Sequence, residues 1–225
     1  MSLLLVHGAC HDGASWSPLV QALASLGLKA HTVDLPSAAG PGTPPAGVAD
    51  DVRTIREALA THRPRVVLCH SYGGVPTTAA VRASDGVELI IYLAAFMPDT
   101  GESLNTVEAG DEEDDAWVVS GDELYIEAVD PLHTFYSTSP AGPAREMAAT
   151  LRPHSLRAFL EEVEHAAWRE IPAVYVVTRD DEAIPPARQR AMAARAGAVY
   201  EIDGDHSPFL GRPAEVAELV TTLCS

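Results

Sequence analysis

The chain has little positive charge. Its 15 Lys and Arg stand against 32 Asp and Glu, a formal net charge of −17. Nucleic-acid binders need a basic stripe that neutralises phosphates and releases counterions. Without one, nucleic acid is not expected as a partner, and neither is an anionic membrane surface. Long apolar runs are also missing. None approaches the ~18 residues needed to cross a bilayer; the longest, Val87 to Met97 and Ala173 to Val177, are strand-like. The segment Met1 to Gly8 has no basic n-region, and its apolar stretch is too short for a signal peptide. Cysteine is scarce. Cys10, Cys69 and Cys224 cannot all pair with one another, and no two have C-x2-C spacing. With no export signal, this predicts a reducing, cytoplasmic location.

What is present is regular. A chain of 225 residues, 47% apolar, suits one domain with a sizeable core. Leu3 to Val6 reads as a strand. Trp16, Leu19, Val20, Leu23 and Leu26 fall on one helical face. Leu28 to Val33 is the next strand, followed by a Pro-, Gly- and Ala-rich loop over Ser37 to Gly47. Val48, Val52, Ile55 and Leu59 mark a second helix, and Arg65 to Leu68 a third strand. A helix running through Ala79 and Val81 and a buried strand over Val87 to Leu93 follow. From residue 99 to about 170 the alternation breaks into helical pieces and prolines, with no strong strand. It resumes with a strand at Ala173 to Val177, a helix at Pro185 to Arg195 and a strand at Val199 to Ile202. A closing helix carries Val216, Leu219, Val220 and Leu223. Such alternation implies a parallel sheet covered by helices on both faces, with ligands at the carboxyl ends of its strands. The expected division is a core of residues 1–98 and 171–225, and an insertion, 99–170, capping that edge.

Chemistry concentrates at Val66-Val67-Leu68-Cys69-His70-Ser71-Tyr72-Gly73-Gly74. An apolar run ends in small residues around one serine, and a helix begins. This is the layout of a nucleophile elbow, a sharp strand-to-helix turn that exposes the serine Oγ. Positions two before and two after the serine must be small. Gly73 meets this, and Cys69 stands where glycine is usual. The plainer alternative is a serine capping an ordinary helix.

A serine nucleophile needs a base, and the base needs an orienting carboxylate. His206 follows the last strand, in Glu201-Ile202-Asp203-Gly204-Asp205-His206-Ser207-Pro208. The carboxylate falls just after the preceding strand, where Asp180 and Asp181 are adjacent and the residues alone leave both open. The order Ser, acid, His is that of the α/β hydrolases. Oxyanion donors are expected from the amide after the nucleophile, on Tyr72, and from the loop after the first strand, on Ala9. His7, Cys10 and His11 lie close enough together to suggest a metal, but the oxyanion loop accounts for them better. Of the other histidines, His70 is expected to pack beside the elbow; His31, His62, His133, His154 and His165 have no partner motif.

On these residues the chain resembles the α/β-hydrolase fold superfamily. It is similar to the branch that holds plant methylesterases, plant hydroxynitrile lyases and bacterial esterase relatives. The resemblance spans nearly the whole chain. It is carried by His7-Gly8-Ala9-Cys10-His11, the Ser71 elbow, Ala94-Ala95-Phe96-Met97-Pro98, Thr178 to Pro185 and Gly204-Asp205-His206. It implies a mostly parallel six-stranded sheet flanked by helices, with a helical cap inserted after the fourth strand. It also implies a Ser71, Asp181, His206 triad, with Asp181 three residues before Ile184-Pro185, and oxyanion donors on Ala9 and Tyr72. No metal or organic cofactor is implied, and the expected partner is a small neutral ester. The lyases of this branch carry a hydroxyl residue after the first-strand histidine and a lysine after the catalytic histidine. Gly8 and Ser207 stand there in this chain, which favours ester hydrolysis. The alternatives are a lyase or metabolite-tailoring enzyme on the same site, or a small-ligand receptor with weak turnover. Trp117, Tyr125, Phe135, Tyr136, Phe159 and Trp168 are aromatic candidates for the pocket. The acidic run from Glu108 to Asp115 reads as a solvated loop or, at the entrance, as a filter against anionic substrates.

Overall fold

A computed structural model describes the chain except residues 42–43, 109–115 and 225 and the side chain of Glu108. The acidic run Asp111 to Asp115 therefore lies outside the described residues.

Six strands form one sheet: β1 (Ser2–Val6), β2 (Lys29–Thr32), β3 (Val66–Ser71), β4 (Leu89–Ala95), and two later strands spanning Ala173–Thr178 and Ala198–Ile202. Every pairing in it is parallel. The inner strands read as continuous apolar runs because both faces are covered. Alternate side chains point to opposite faces. Leu4, Val67, Cys69, Ile90 and Tyr92 face Ile55 and Leu59 of α2 (Val48–His62) and Val75 of α3 (Gly74–Ala80). Leu3, Leu5, Leu68, Ile91 and Leu93 face Trp16 and the Leu19 and Leu23 side chains of α1 (Ser17–Ser25). Val216, Ala217 and Val220 of the C-terminal helix Pro213–Leu223 complete that side.

Three helix readings shorten, the one over Pro185 to Arg195 to Pro186–Ala193. α1 stops before Leu26, which is exposed next to Gly27 at φ 78°. α3 ends at Ala80, and Val81 is already extended.

The connection after β4 holds α4 (Leu104–Glu108), β5 (Trp117–Val119), β6 (Tyr125–Ala128), α5 (Pro131–Tyr136), α6 (Ala141–Ala148), β7 (His154–Ser155) and α7 (Leu156–Leu160). The helical pieces are as expected. The stretch expected to hold no strong strand contains three short ones: β5, β6 and β7 form a small antiparallel sheet. They are 3, 4 and 2 residues long, too short for a period of two to emerge. The ends of this insert are tied together. Gly101 N donates to Val163 O and Val163 N to Glu102 O, both at 2.8 Å. Glu102 also pairs with Arg195 at 2.6 Å. The core then continues through β8 (Ala173–Thr178), α8 (Pro186–Ala193), β9 (Ala198–Ile202), α9 (Pro208–Gly211) and α10 (Pro213–Leu223). The strand order is β2-β1-β3-β4-β8-β9. Among the described residues, no helix is long and apolar enough to cross a membrane.

Candidate active site

β3 ends in a strained turn. Ser71 sits at φ 52°, a left-handed conformation that costs a non-glycine residue about 1–3 kcal/mol. The β3–β4 register shifts between His70 and Ser71, and Ser71 O is held by Phe96 N at 3.0 Å. The turn fits because its neighbours lack side chains. A Cβ on Gly73 would lie 2.4 Å from His7 O, and one on Gly8 would lie 2.7 Å from Ser71 Cβ. Cys69 is accommodated: its buried Sγ reaches Ile91 O at 3.5 Å. Burial pushes its thiol well up, away from reactive thiolate chemistry.

The predicted partners arrive on loops at the same sheet edge. His206 follows β9 and Asp181 follows β8. Asp181 Oδ2 accepts from His206 Nδ1 at 2.8 Å, with both side chains buried. Asp181 is itself fixed. Its Oδ1 accepts from Ala183 N and Ile184 N at 2.8 Å, and its Oδ2 from Thr178 Oγ1 at 2.9 Å and Gln189 Nε2 at 2.8 Å. Asp180 is exposed and accepts from Gly204 N at 3.1 Å. The geometry thus separates two carboxylates that the residues alone left open. An acceptor at Nδ1 puts the ring proton there and leaves the Nε2 lone pair free. Among the described residues, neither His206 Nε2 nor Ser71 Oγ has a hydrogen-bond partner.

Several supports were not legible in the sequence. His70 Nε2 donates to His206 O at 2.7 Å, so the residue before the serine steadies the histidine loop. Asp205 accepts from Thr138 N at 2.9 Å and Ser207 N at 2.9 Å, tying that loop to the insert. Gln189 bridges Thr178, Asp181 and Ile184 O. His70 and Thr138 meet the histidine loop across 136 and 67 residues, and no motif marks any of these supports.

Ala9, Ser71 and Tyr72 line one small cavity. The N–H groups of Ala9 and Tyr72 bond to nothing else among the described residues. Phe96, Leu104, Trp117, Phe159 and Ile184 form apolar walls, and no charged side chain lines it. Its free volume is about 10 Å³, room for about one water. Of the six aromatic candidates, Trp117 and Phe159 reach it. Phe135 instead packs 5.6 Å from the His206 ring, Tyr136 bonds His11 Nε2 at 2.7 Å, and Trp168 Nε1 donates to Pro98 O at 2.8 Å. Tyr125 lies in β6, and its ring does not line the cavity. Larger hollows lie elsewhere on the surface, one beside Asp12 and Asp34, but they contain none of this chemistry.

His7, Cys10 and His11 form no metal site; among the described residues no three metal-binding groups converge. His7 Nε2 accepts from Leu35 N and its Nδ1 bonds Gly8 O, while His11 Nδ1 bonds Ala9 O. These rings shape the Ala9 loop.

Burial holds His7, His11, His70 and His154 below the usual histidine range, His11 and His154 down to about 3. The unfolded chain therefore binds more protons below about pH 6.5, and stability falls as the pH drops through that window. Between about pH 7.5 and 5.5, His11 and His154 together cost about 3 kcal/mol. Asp51 acts in the opposite sense. Burial raises it to about 6, which returns about 1 kcal/mol over the same interval. Denaturant unfolding is expected to give a stability lower by about 2 kcal/mol or more at pH 5.5, with His7 and His70 adding to the loss. Equal stability at the two pH values would contradict burial of these rings as neutral groups.

The fold and this site define a class. The family model described as "Alpha/beta hydrolase family" matches residues 3–219, and the chain belongs to that family. Among known proteins, it is 28% identical over 241 residues to Methylesterase 2 of Arabidopsis thaliana, covering 93% of this chain and 90% of the relative. It is 27% identical over 236 residues to a probable hydrolase of a Phoma species, covering 98% and 97%. Among solved structures, a methylesterase from Arabidopsis matches with TM-score 0.82 at 24% identity, over 100% of this chain and 98% of that one. That likeness concerns the fold.

Proposed function

We propose that this protein is a serine esterase that cleaves small neutral carboxylic esters through an acyl-enzyme on Ser71. The observation that carries the reading is the meeting, in one apolar cavity, of Ser71 with the unpaired Ala9 and Tyr72 amides. His206, anchored on Asp181, is the base on the same sheet edge. His206 Nε2 takes the Ser71 proton as Oγ attacks the ester carbonyl. The two amides hold the oxyanion that forms. His206 then protonates the departing alcohol, and water repeats the sequence on the acyl-enzyme. Asp181 keeps the ring proton on Nδ1 and stabilises the imidazolium. No step calls for a metal or organic cofactor. Residues 99–170 act as the cap in this reading, since α4, β5 and α7 supply Leu104, Trp117 and Phe159. Those walls move aside for an ester, because the closed cavity holds about one water. Free cysteines fit the expected cytoplasmic location.

Two features support hydrolysis over the lyase alternative. A Cβ at position 8 would press on Ser71 Cβ and, at 2.9 Å, on His70 Nδ1, so a hydroxyl residue has no room there. Ser207, in place of the lyase lysine, is buried. The expected result is turnover of p-nitrophenyl acetate and butyrate, at least about tenfold weaker kcat/KM for a carboxylate-bearing ester such as p-nitrophenyl hemisuccinate, and no cyanide release from mandelonitrile; one unpaired charge in an apolar pocket costs at least that much. Cyanide release without ester hydrolysis would move the protein to the lyases. Saturable ester binding without turnover would make it a receptor.

A further inference from the structure

Behind the Tyr72 wall of the cavity lies a buried polar cluster that the esterase chemistry does not use. Tyr72 Oη donates to Asp51 Oδ2 at 2.6 Å. Asp51, on α2, also accepts from Ser37 Oγ at 2.6 Å and Ser37 N at 3.0 Å. Asp51 is fully buried, and a buried carboxylate is costly unless its partners hold it. The Tyr72 ring is stacked on Phe159 at 5.8 Å and meets the edge of His154 at 4.5 Å.

The other oxyanion segment is gripped as well. Cys10 follows Ala9 and sits at φ 64°, a conformation that persists only when its surroundings hold it. Its N–H points to His154 Nδ1 at 3.4 Å, and its O accepts from Arg152 N at 3.0 Å. Acceptance at Nδ1 places the His154 proton on Nε2, which is buried without a partner. An unpaired buried donor costs about 1–3 kcal/mol, so the ring is kept at a local loss.

We propose that Asp51 and His154 are positioning residues of the oxyanion hole. Asp51 aims the Tyr72 amide through the Tyr72 phenol, and His154 aims the Ala9 amide through Cys10. The proposal rests on Ser71 being the nucleophile. An oxyanion donor stabilises the transition state only when directed at the position the charged oxygen will take. A pinned phenol limits how far the Tyr72 peptide plane can rotate before the pin breaks. His154 lies in the insert, so the Ala9 side of the hole is complete only when β7 is seated on the core.

The test compares wild type with Tyr72→Phe, Asp51→Ala, Asp51→Asn, His154→Phe and His154→Asn on p-nitrophenyl acetate. Each variant is also titrated with an aryl trifluoromethyl ketone, which adds to the serine and puts an oxyanion in the hole. Tyr72→Phe, Asp51→Ala and His154→Phe are each expected to lower kcat about tenfold with KM within about twofold, since small misplacements of a reacting geometry cost one to two orders of magnitude. Affinity for the ketone falls by the same factor. Asp51→Asn retains most activity, because its carbonyl still meets Ser37 N–H and its amide can donate to both hydroxyls. His154→Asn retains most activity because it still offers Cys10 an acceptor. The Asp51→Ala, Tyr72→Phe double variant is no worse than either single. Tyr72→Phe removes one oxygen, and it decides the first brace even if Asp51→Ala does not fold. Tyr72→Phe and His154→Phe proteins with lowered melting temperature but kcat and ketone affinity within about twofold of wild type would overturn the proposal, since a structural role moves only stability. If Ser71→Ala also remains active, it is the serine-esterase reading that fails.

Discussion

Replacing Ser71 with alanine is expected to lower ester hydrolysis by at least about 10³-fold while leaving the fold intact. The loss follows from the chemistry: without Oγ there is no acyl-enzyme, and water must attack directly. The intact fold follows from the structure. Ser71 Oγ has no hydrogen-bond partner among the described residues, and alanine meets the same strain at φ 52°. The melting temperature should therefore stay within about 2 °C of wild type, a change in stability of no more than about 1 kcal/mol for a chain of this length. Retention of more than about a tenth of wild-type activity would remove Ser71 from the mechanism.

Asp181→Asn is the second large effect. Its direction comes from the hydrogen bonds around the carboxylate. Oδ1 accepts from Ala183 N and Ile184 N, so an asparagine must keep its oxygen there. Its NH2 group then takes the Oδ2 position, 2.8 Å from His206 Nδ1. A donor facing Nδ1 drives the ring proton to Nε2, and His206 can no longer accept from Ser71. In serine proteases the same change costs about 10⁴ in kcat, and a loss of about 10³-fold or more is expected here. Asp180→Asn should stay within about twofold of wild type, because that carboxylate is exposed and off the His206 ring. Steady-state kinetics on the two variants check both expectations. The reverse ranking would move the acid to Asp180.

Much of this site was legible because the fold places chemistry at strand ends. β1, β3, β4 and β8 are buried on both faces and read as unbroken apolar runs, so Gly8, Ser71 and the Asp180–Asp181 pair could be assigned to one edge, and His206 follows from the same alternation after β9. The elbow was legible from crowding, which admits only small residues two before and two after Ser71, here Cys69 and Gly73. The insert was not. Its three strands are too short for a pattern, and what it does depends on contacts across the chain. His154 meets Cys10 across 144 residues, and His70 meets His206 across 136. Asp51 carries no sequence signal: its helix is marked only by the apolar face of Val48, Val52, Ile55 and Leu59. Its use appears only when α2 packs against the elbow and brings it to the Tyr72 phenol, 21 residues away in sequence.

The most direct test of the account is covalent trapping. A fluorophosphonate reacts with a serine only where a base activates it and an oxyanion hole receives the charged oxygen. Intact-mass analysis should give one adduct per chain, peptide mapping should place it on Ser71, and ester hydrolysis should fall in proportion to labelling. The Ser71→Ala protein should take up no label. An adduct on any other residue, or activity that survives complete labelling of Ser71, would contradict the assignment of Ser71 as the nucleophile.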